Sequence, residues 1–159
     1  MTIQYIPAER IIIDEITLHF SEQRESIRSN LGMEFKEDNQ IFDMGENAKP
    51  ISQRRDIYQG PDDFDDYFFL NYSKDDKLES IEIHHCSMMT IFDIAINFED
   101  DLDEVAEELQ RYSKDYKQGE GEYRFFDLKI VLINAEQMGG EDNTISYVYC
   151  TSDMSHLAD

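Results

Sequence analysis

The 159-residue chain sets 14 Lys and Arg against 36 Asp and Glu, a formal charge of −22, yet keeps a 40% hydrophobic fraction with 10 Phe and 9 Tyr. A chain of this size buries roughly 68–70% of its unfolded surface, so the composition excludes wholesale disorder and predicts one domain over residues 1–159. The acidity excludes direct nucleic-acid binding and docking on anionic membranes, and two cysteines, Cys86 and Cys150, are too few for a disulfide framework or a Cys-rich metal site.

Met1 to Arg10 lacks the basic-then-apolar pattern of a secretory leader, and no run approaches the roughly 18 apolar residues of a membrane span, so the expected compartment is the cytoplasm. Ile11 to Phe20 reads as a strand with Ile16, Leu18 and Phe20 on one face. Ser21 then offers an N-cap to a short helix that carries Ile27 and Leu31 four residues apart and stops at Gly32. Met33 to Asp66, broken by Gly45, Pro50, Gly60 and Pro61, reads as loops with one short strand. Tyr67–Tyr72 and Leu78–His85 predict a hairpin across a polar turn, Ser73 to Lys77. Phe92, Ile94, Ile96 and Phe98 alternate with Asp93, Ala95 and Asn97 as a half-buried strand.

A second helix follows, capped by Asp101 with Glu104 at capping-box spacing, and striped by Leu102, Val105, Ala106, Leu109 and Tyr112. Tyr123 to Ile133 and Ile145 to Cys150 read as the last strands, separated by Gly139-Gly140. These elements predict a single α+β domain whose mostly antiparallel sheet of about five or six strands is covered by two main helices.

The sequence contains no G-x-S-x-G elbow, no phosphate-binding G-x-x-x-x-G-K-[ST], no G-x-G-x-x-G and no H-E-x-x-H, so no enzyme activity, catalytic residue or cofactor is expected. His84-His85-Cys86 places three ligand types in a row, but neighbours on a strand point to opposite faces, which leaves at most His84 and Cys86 on one side and no metal site. The Asp62–Asp66 run is rich in oxygen ligands but lacks the grammar of an EF-hand. The charge itself is uneven, with 7 basic against 11 acidic residues from Met1 to Gly60, 5 against 19 from Pro61 to Glu122, and 2 against 6 thereafter. Asp62, Asp63, Asp65 and Asp66, then Asp75 and Asp76, then Asp103, Glu104, Glu107 and Glu108 with Asp100 and Asp101, read together as one acidic surface for a basic protein. Tyr72 and Tyr112, each beside acids, are expected to add contact area to that surface.

The succession IIIDEITLHFSEQRESIRSNLG, DDYFFLNYSKDDKLESIEIH, TIFDIAINFEDDLDEVAEELQRYS and EYRFFDLKIVL resembles small acidic bacterial immunity proteins of polymorphic-toxin and contact-dependent growth-inhibition systems. The resemblance covers about half the chain. It implies a non-enzymatic α+β protein that neutralises a cognate basic toxin, often a nuclease, by stoichiometric inhibition, and it assigns no individual contact residue. A generic acidic adaptor or nucleic-acid mimic, and an enzyme or metal protein built on the carboxylates or on His84-His85-Cys86, are the alternative readings. An exposed strand edge is a further means of gripping a partner through backbone hydrogen bonds.

Overall fold

Strands are the predominant regular element of the computed structural model, which describes residues 1–46, 48–62 and 65–157. The chain opens with β1 (Thr2–Ile6), β2 (Arg10–Ile13), β3 (Ile16–His19) and helix α1 (Arg24–Leu31). It continues through β4 (Lys36–Phe42), β5 (Ile51–Gln59), β6 (Tyr67–Tyr72), β7 (Leu78–His85), β8 (Met88–Ile91) and β9 (Ile94–Ile96). Helix α2 (Leu102–Gln110) then precedes β10 (Tyr116–Gly119), β11 (Glu122–Phe125), β12 (Ile130–Asn134) and β13 (Ile145–Thr151).

The expectation of one sheet of five or six strands is therefore corrected. Among the described residues, thirteen strands form a five-stranded sheet in the order β3-β2-β1-β8-β9 and an eight-stranded sheet in the order β10-β11-β12-β13-β7-β6-β5-β4. All pairs are antiparallel except β1 with β8.

Two physical reasons account for the undercount. Several strands that read as single are hairpins folded at turns without glycine. The run Ile11 to Phe20 breaks at Asp14 (φ 52°), and the run Phe92 to Phe98 is a tight turn at Phe92 (φ 55°) followed by the three residues of β9. Tyr123 to Ile133 likewise folds between β11 and β12, with Lys129 at φ 55°. The region read as loops holds β4 and the nine-residue β5, whose inward position 56 is an aspartate rather than an apolar residue. The hairpin β6–β7 and strand β13 fall where the alternation placed them. Helix α1 ends at Gly32 as expected, but its N-cap is Gln23 and not Ser21, whose backbone N–H instead donates to the Leu78 carbonyl at 2.8 Å.

The core lies between the two sheets. Ile3, Tyr5, Ile11, Ile13, Met89 and Ile91 of the small sheet meet Phe68, Leu70, Ile81, Ile83, Leu132 and Val148 of the large one in one buried cluster. Helix α2 packs its Leu102, Val105, Ala106 and Leu109 stripe against β9 and β12, so it bridges the two sheets. Tyr5 also ties the layers, its hydroxyl lying 3.0 Å from the Leu128 carbonyl and 3.1 Å from that of Lys129 while accepting from the Ala8 N–H at 3.2 Å.

A second tie is ionic. Asp56 on β5 is fully buried and accepts from Arg24 and Arg28 of α1, with Arg28 Nε and Nη2 at 2.9 and 2.8 Å and Arg24 Nε at 3.2 Å. The Tyr72 ring packs under the Arg24 guanidinium at 4.8 Å, and burial together with the neighbouring Asp56 charge pushes up both the Tyr58 and Tyr72 phenols.

Candidate functional site

Register decides which of the expected interface residues stand together. Tyr67 pairs with His85 and Tyr72 with Leu78, so the Asp62–Asp66 loop and the Asp75-Asp76 turn sit at opposite ends of β6, about 17 Å apart at 3.4 Å per residue. The expected acids therefore stand at both ends of this strand, and they differ in what they pair with. The turn belongs to the cationic corner of the molecule. Asp76 accepts from Arg54 Nη2 at 2.8 and 3.0 Å and from Arg24 Nη1 at 3.3 Å, and its carboxyl is held below the ordinary range chiefly by Arg54. Asp75 remains exposed at the tip.

Tyr72 is also corrected. It is 4% exposed and points into the core over the Arg24–Asp56 pair, so it offers no area to a partner. Of the loop acids, Asp62 is exposed, whereas Asp65 and Asp66 are partly buried and shape the loop itself. The Asp65 carboxylate accepts from the Asp62 N–H at 2.9 Å, and the Asp66 carbonyl accepts from Gly60 at 3.0 Å. Asp63 lies outside the described residues.

Helix α2 carries the remaining carboxylates, and here the local chemistry follows the sequence. Asp101 caps the helix, its Oδ1 accepting from the N–H groups of Asp103 and Glu104 at 2.9 and 3.2 Å. Asp103 is exposed but employed. Its two oxygens accept from the Tyr123 hydroxyl at 2.6 Å and the Asn143 amide at 3.0 Å, which fastens the first turn of the helix to β11 and to the segment before β13. Burial and this contact push the Tyr123 phenol up to about 12. Glu104, Glu107 and Glu108 line a shallow depression with Gln110 and Arg111, and among the described residues none of the three makes an ion pair.

The helix ends in an aromatic pair that the periodicity concealed. Tyr112, expected in the buried stripe, is 39% exposed and stacks on Phe92, itself 46% exposed, with ring centroids 4.4 Å apart and planes 15° from parallel. The Tyr112 hydroxyl donates to Asp93, a bond that lowers the Asp93 carboxyl and raises the Tyr112 phenol. No residue type around the turn announced it, because Phe92-Asp93 lacks the glycine or asparagine that normally marks a two-residue hairpin.

The His84-His85-Cys86 triplet disperses. His84 lies on the outer face of the large sheet among Tyr67, Phe69 and Tyr147, with centroids 4.9, 4.6 and 5.2 Å away, and burial lowers its pKa. His85 faces Phe98, and the Cys86 thiol is buried and pushed up to about 12 by that burial. No group of three metal-ligating residues forms among the described residues. That outer face also holds an open groove of about 550 Å³ lined by Gln53, Asn71, Ser80, Glu82, Tyr149 and His156. The free edges of the large sheet are β4 and β10, and the β4–β5 end exposes Ile41, Phe42, Met44 and Ile51. No helix among the described residues is long and apolar enough to cross a membrane.

Compared with known proteins, the chain matches no family model, no curated protein and no solved structure.

Proposed function

We propose that this chain is a cytoplasmic immunity-type protein that binds a basic toxin, a nuclease, one to one and inhibits it by occupying or shielding its phosphate-gripping surface. The observation that carries the reading is the set Glu104, Glu107 and Glu108: three exposed carboxylates on one helix flank with no cation paired to them among the described residues. Like charges held within one Debye length, about 8 Å, raise the energy of the free protein, and a partner rich in Lys and Arg relieves that repulsion on binding. A nuclease cleft supplies such residues because it must neutralise phosphates. The sequence-level resemblance to small acidic immunity proteins supports the same reading.

The test uses the toxin domain encoded beside the gene. The intact protein should bind it one to one and protect cells that express it, with an association rate that falls as salt rises. The triple variant E104Q/E107Q/E108Q should keep the fold and associate about tenfold or more slowly at low salt. Failure of the intact protein both to bind and to protect overturns the reading, whereas similar affinity for several unrelated basic proteins would favour a generic acidic adaptor.

A further inference from the structure

Phe92 occupies a backbone position that suits it poorly. Two-residue hairpin turns require positive φ at their first residue, and glycine, asparagine or aspartate normally supplies it. The β2–β3 turn follows this rule with Asp14 at φ 52°, whereas the β8–β9 turn places a phenylalanine at φ 55°. For a bulky L-residue this conformation is unfavourable, and the ring gains little burial in return, since it remains 46% exposed. One ring face lies on Tyr112, and the exposed area is therefore its other face and edge. Strain of this kind at an exposed aromatic points toward function rather than stability.

The surroundings define the chemistry of an occupant. Asp93 accepts from the Tyr112 hydroxyl, and on the preceding helix Glu104, Glu107 and Glu108 line a depression with Arg111, whose guanidinium lies 5.8 Å from the Tyr112 centroid. An aromatic platform with a carboxylate at its border suits a planar, weakly hydrated cation that can stack and donate paired hydrogen bonds at once. Resting on the proposed capture of a basic protein, we infer that the Phe92–Tyr112 stack is the anchor point of that interface and receives an arginine side chain of the partner. A lysine ammonium, compact and strongly hydrated, gains the charge contact but not the stacking.

The experiment titrates the protein with blocked tetra-arginine and tetra-lysine peptides at low ionic strength and follows them by NMR. Tetra-arginine should bind about two- to fivefold more tightly than tetra-lysine and shift the Phe92 and Tyr112 ring resonances. F92G and F92N, both of which tolerate the turn, should abolish this preference while the urea midpoint stays level or rises. E104Q/E107Q/E108Q should weaken both peptides alike. Equal affinity for the two peptides, or a preference that survives F92G and F92N, overturns the anchor and leaves the acidic helix flank standing as a cation-binding surface. Absence of binding by either peptide removes the acidic flank, and the anchor with it.

Discussion

Replacing Asp56 with Asn tests the ionic tie between α1 and the large sheet. The carboxylate is fully buried and is shared by Arg24, 3% exposed, and Arg28, 14% exposed, so its removal strands two guanidinium groups. Breaking a buried pair costs about 3–5 kcal/mol. Arg28 keeps Glu25 and Glu37 at 2.6 Å each, and Arg24 keeps the Arg55 carbonyl at 2.9 Å and Asp76 at 3.3 Å, which sets the expected loss near the lower end, about 3 kcal/mol. At about 2–4 °C per kcal/mol for a chain of this size, the Tm should fall by roughly 6–12 °C. Burial pushes the Asp56 carboxyl up, but the hydrogen bonds from Arg28 and Arg24 outweigh it and hold the group below its ordinary value. A folded-state pKa below the unfolded one means that the stabilisation is complete above the unfolded value, about 3.9, and is lost as pH falls through the folded value. Urea unfolding followed by circular dichroism at pH 7 and at stepped acid pH should therefore show the gap between wild type and D56N narrowing below about pH 4. The double variant R24M/D56L should recover most of the loss at pH 7. A D56N cost under about 1 kcal/mol, or a gap unchanged down to pH 3, would refute the reasoning.

Asp101→Ala removes the cap from α2 and also the acceptor of the Asn143 amide at 3.1 Å, so it should cost about 1–2 kcal/mol in urea unfolding, with D101S recovering the cap-dependent part. Gly121→Ala meets two obstacles: a φ of 66°, and a Cβ that would stand 2.5 Å from Asn134 Oδ1 and 2.7 Å from Gln137 Cγ. It should destabilise by about 2 kcal/mol or more, and a thermal midpoint within a degree of wild type would show that the Asn134 turn can shift at no cost.

The legible parts of the fold were those where one local signal suffices. Asp101 before an acidic first turn marked the start of α2, and the Leu102, Val105, Ala106 and Leu109 stripe marked its buried side. Tyr67–Tyr72 and Leu78–His85 are legible with their observed bounds because two strand-like runs rich in aromatic and aliphatic residues flank a short polar turn. What escaped depends on contacts distant in sequence. Asp56 is tolerated inside β5 only because Arg24 and Arg28 arrive from residues 28 to 32 positions earlier, and nothing local to Ile51–Gln59 reveals them. Phe92 escaped for a different reason: at alternating spacing with Ile94 and Ile96 it imitates a core position, and only the backbone reversal turns it outward. For the candidate site, Glu104, Glu107 and Glu108 are legible from helical spacing, whereas that spacing puts Tyr112 in the buried stripe and the nearby acids put Tyr72 on the surface, although its inward phase on β6 matches Phe68 and Leu70.

Where the cations sit determines how much of the acidic field survives folding. Arg24, Arg28, Arg54 and Arg55 all engage carboxylates at the α1–β4–β5 corner, with Arg55 Nε 2.7 Å from Asp38. Helix α2 rests on β12, four strands away from β5 in the sheet order, which amounts to about 19 Å at 4.8 Å per strand. That is more than two Debye lengths at physiological salt, so the arginine corner cannot screen the α2 flank. Asp56 with Arg24 and Arg28 thus holds the fold, whereas Glu104, Glu107 and Glu108 make no ion pair among the described residues. The two should separate experimentally. D56N, still folded at low temperature, should associate with the neighbouring toxin domain at the wild-type rate despite its lower Tm, while E104Q/E107Q/E108Q should associate slowly with a Tm unchanged or raised by relief of repulsion. Slow association by folded D56N would mean that the corner and the flank act as one surface, and the division would fail.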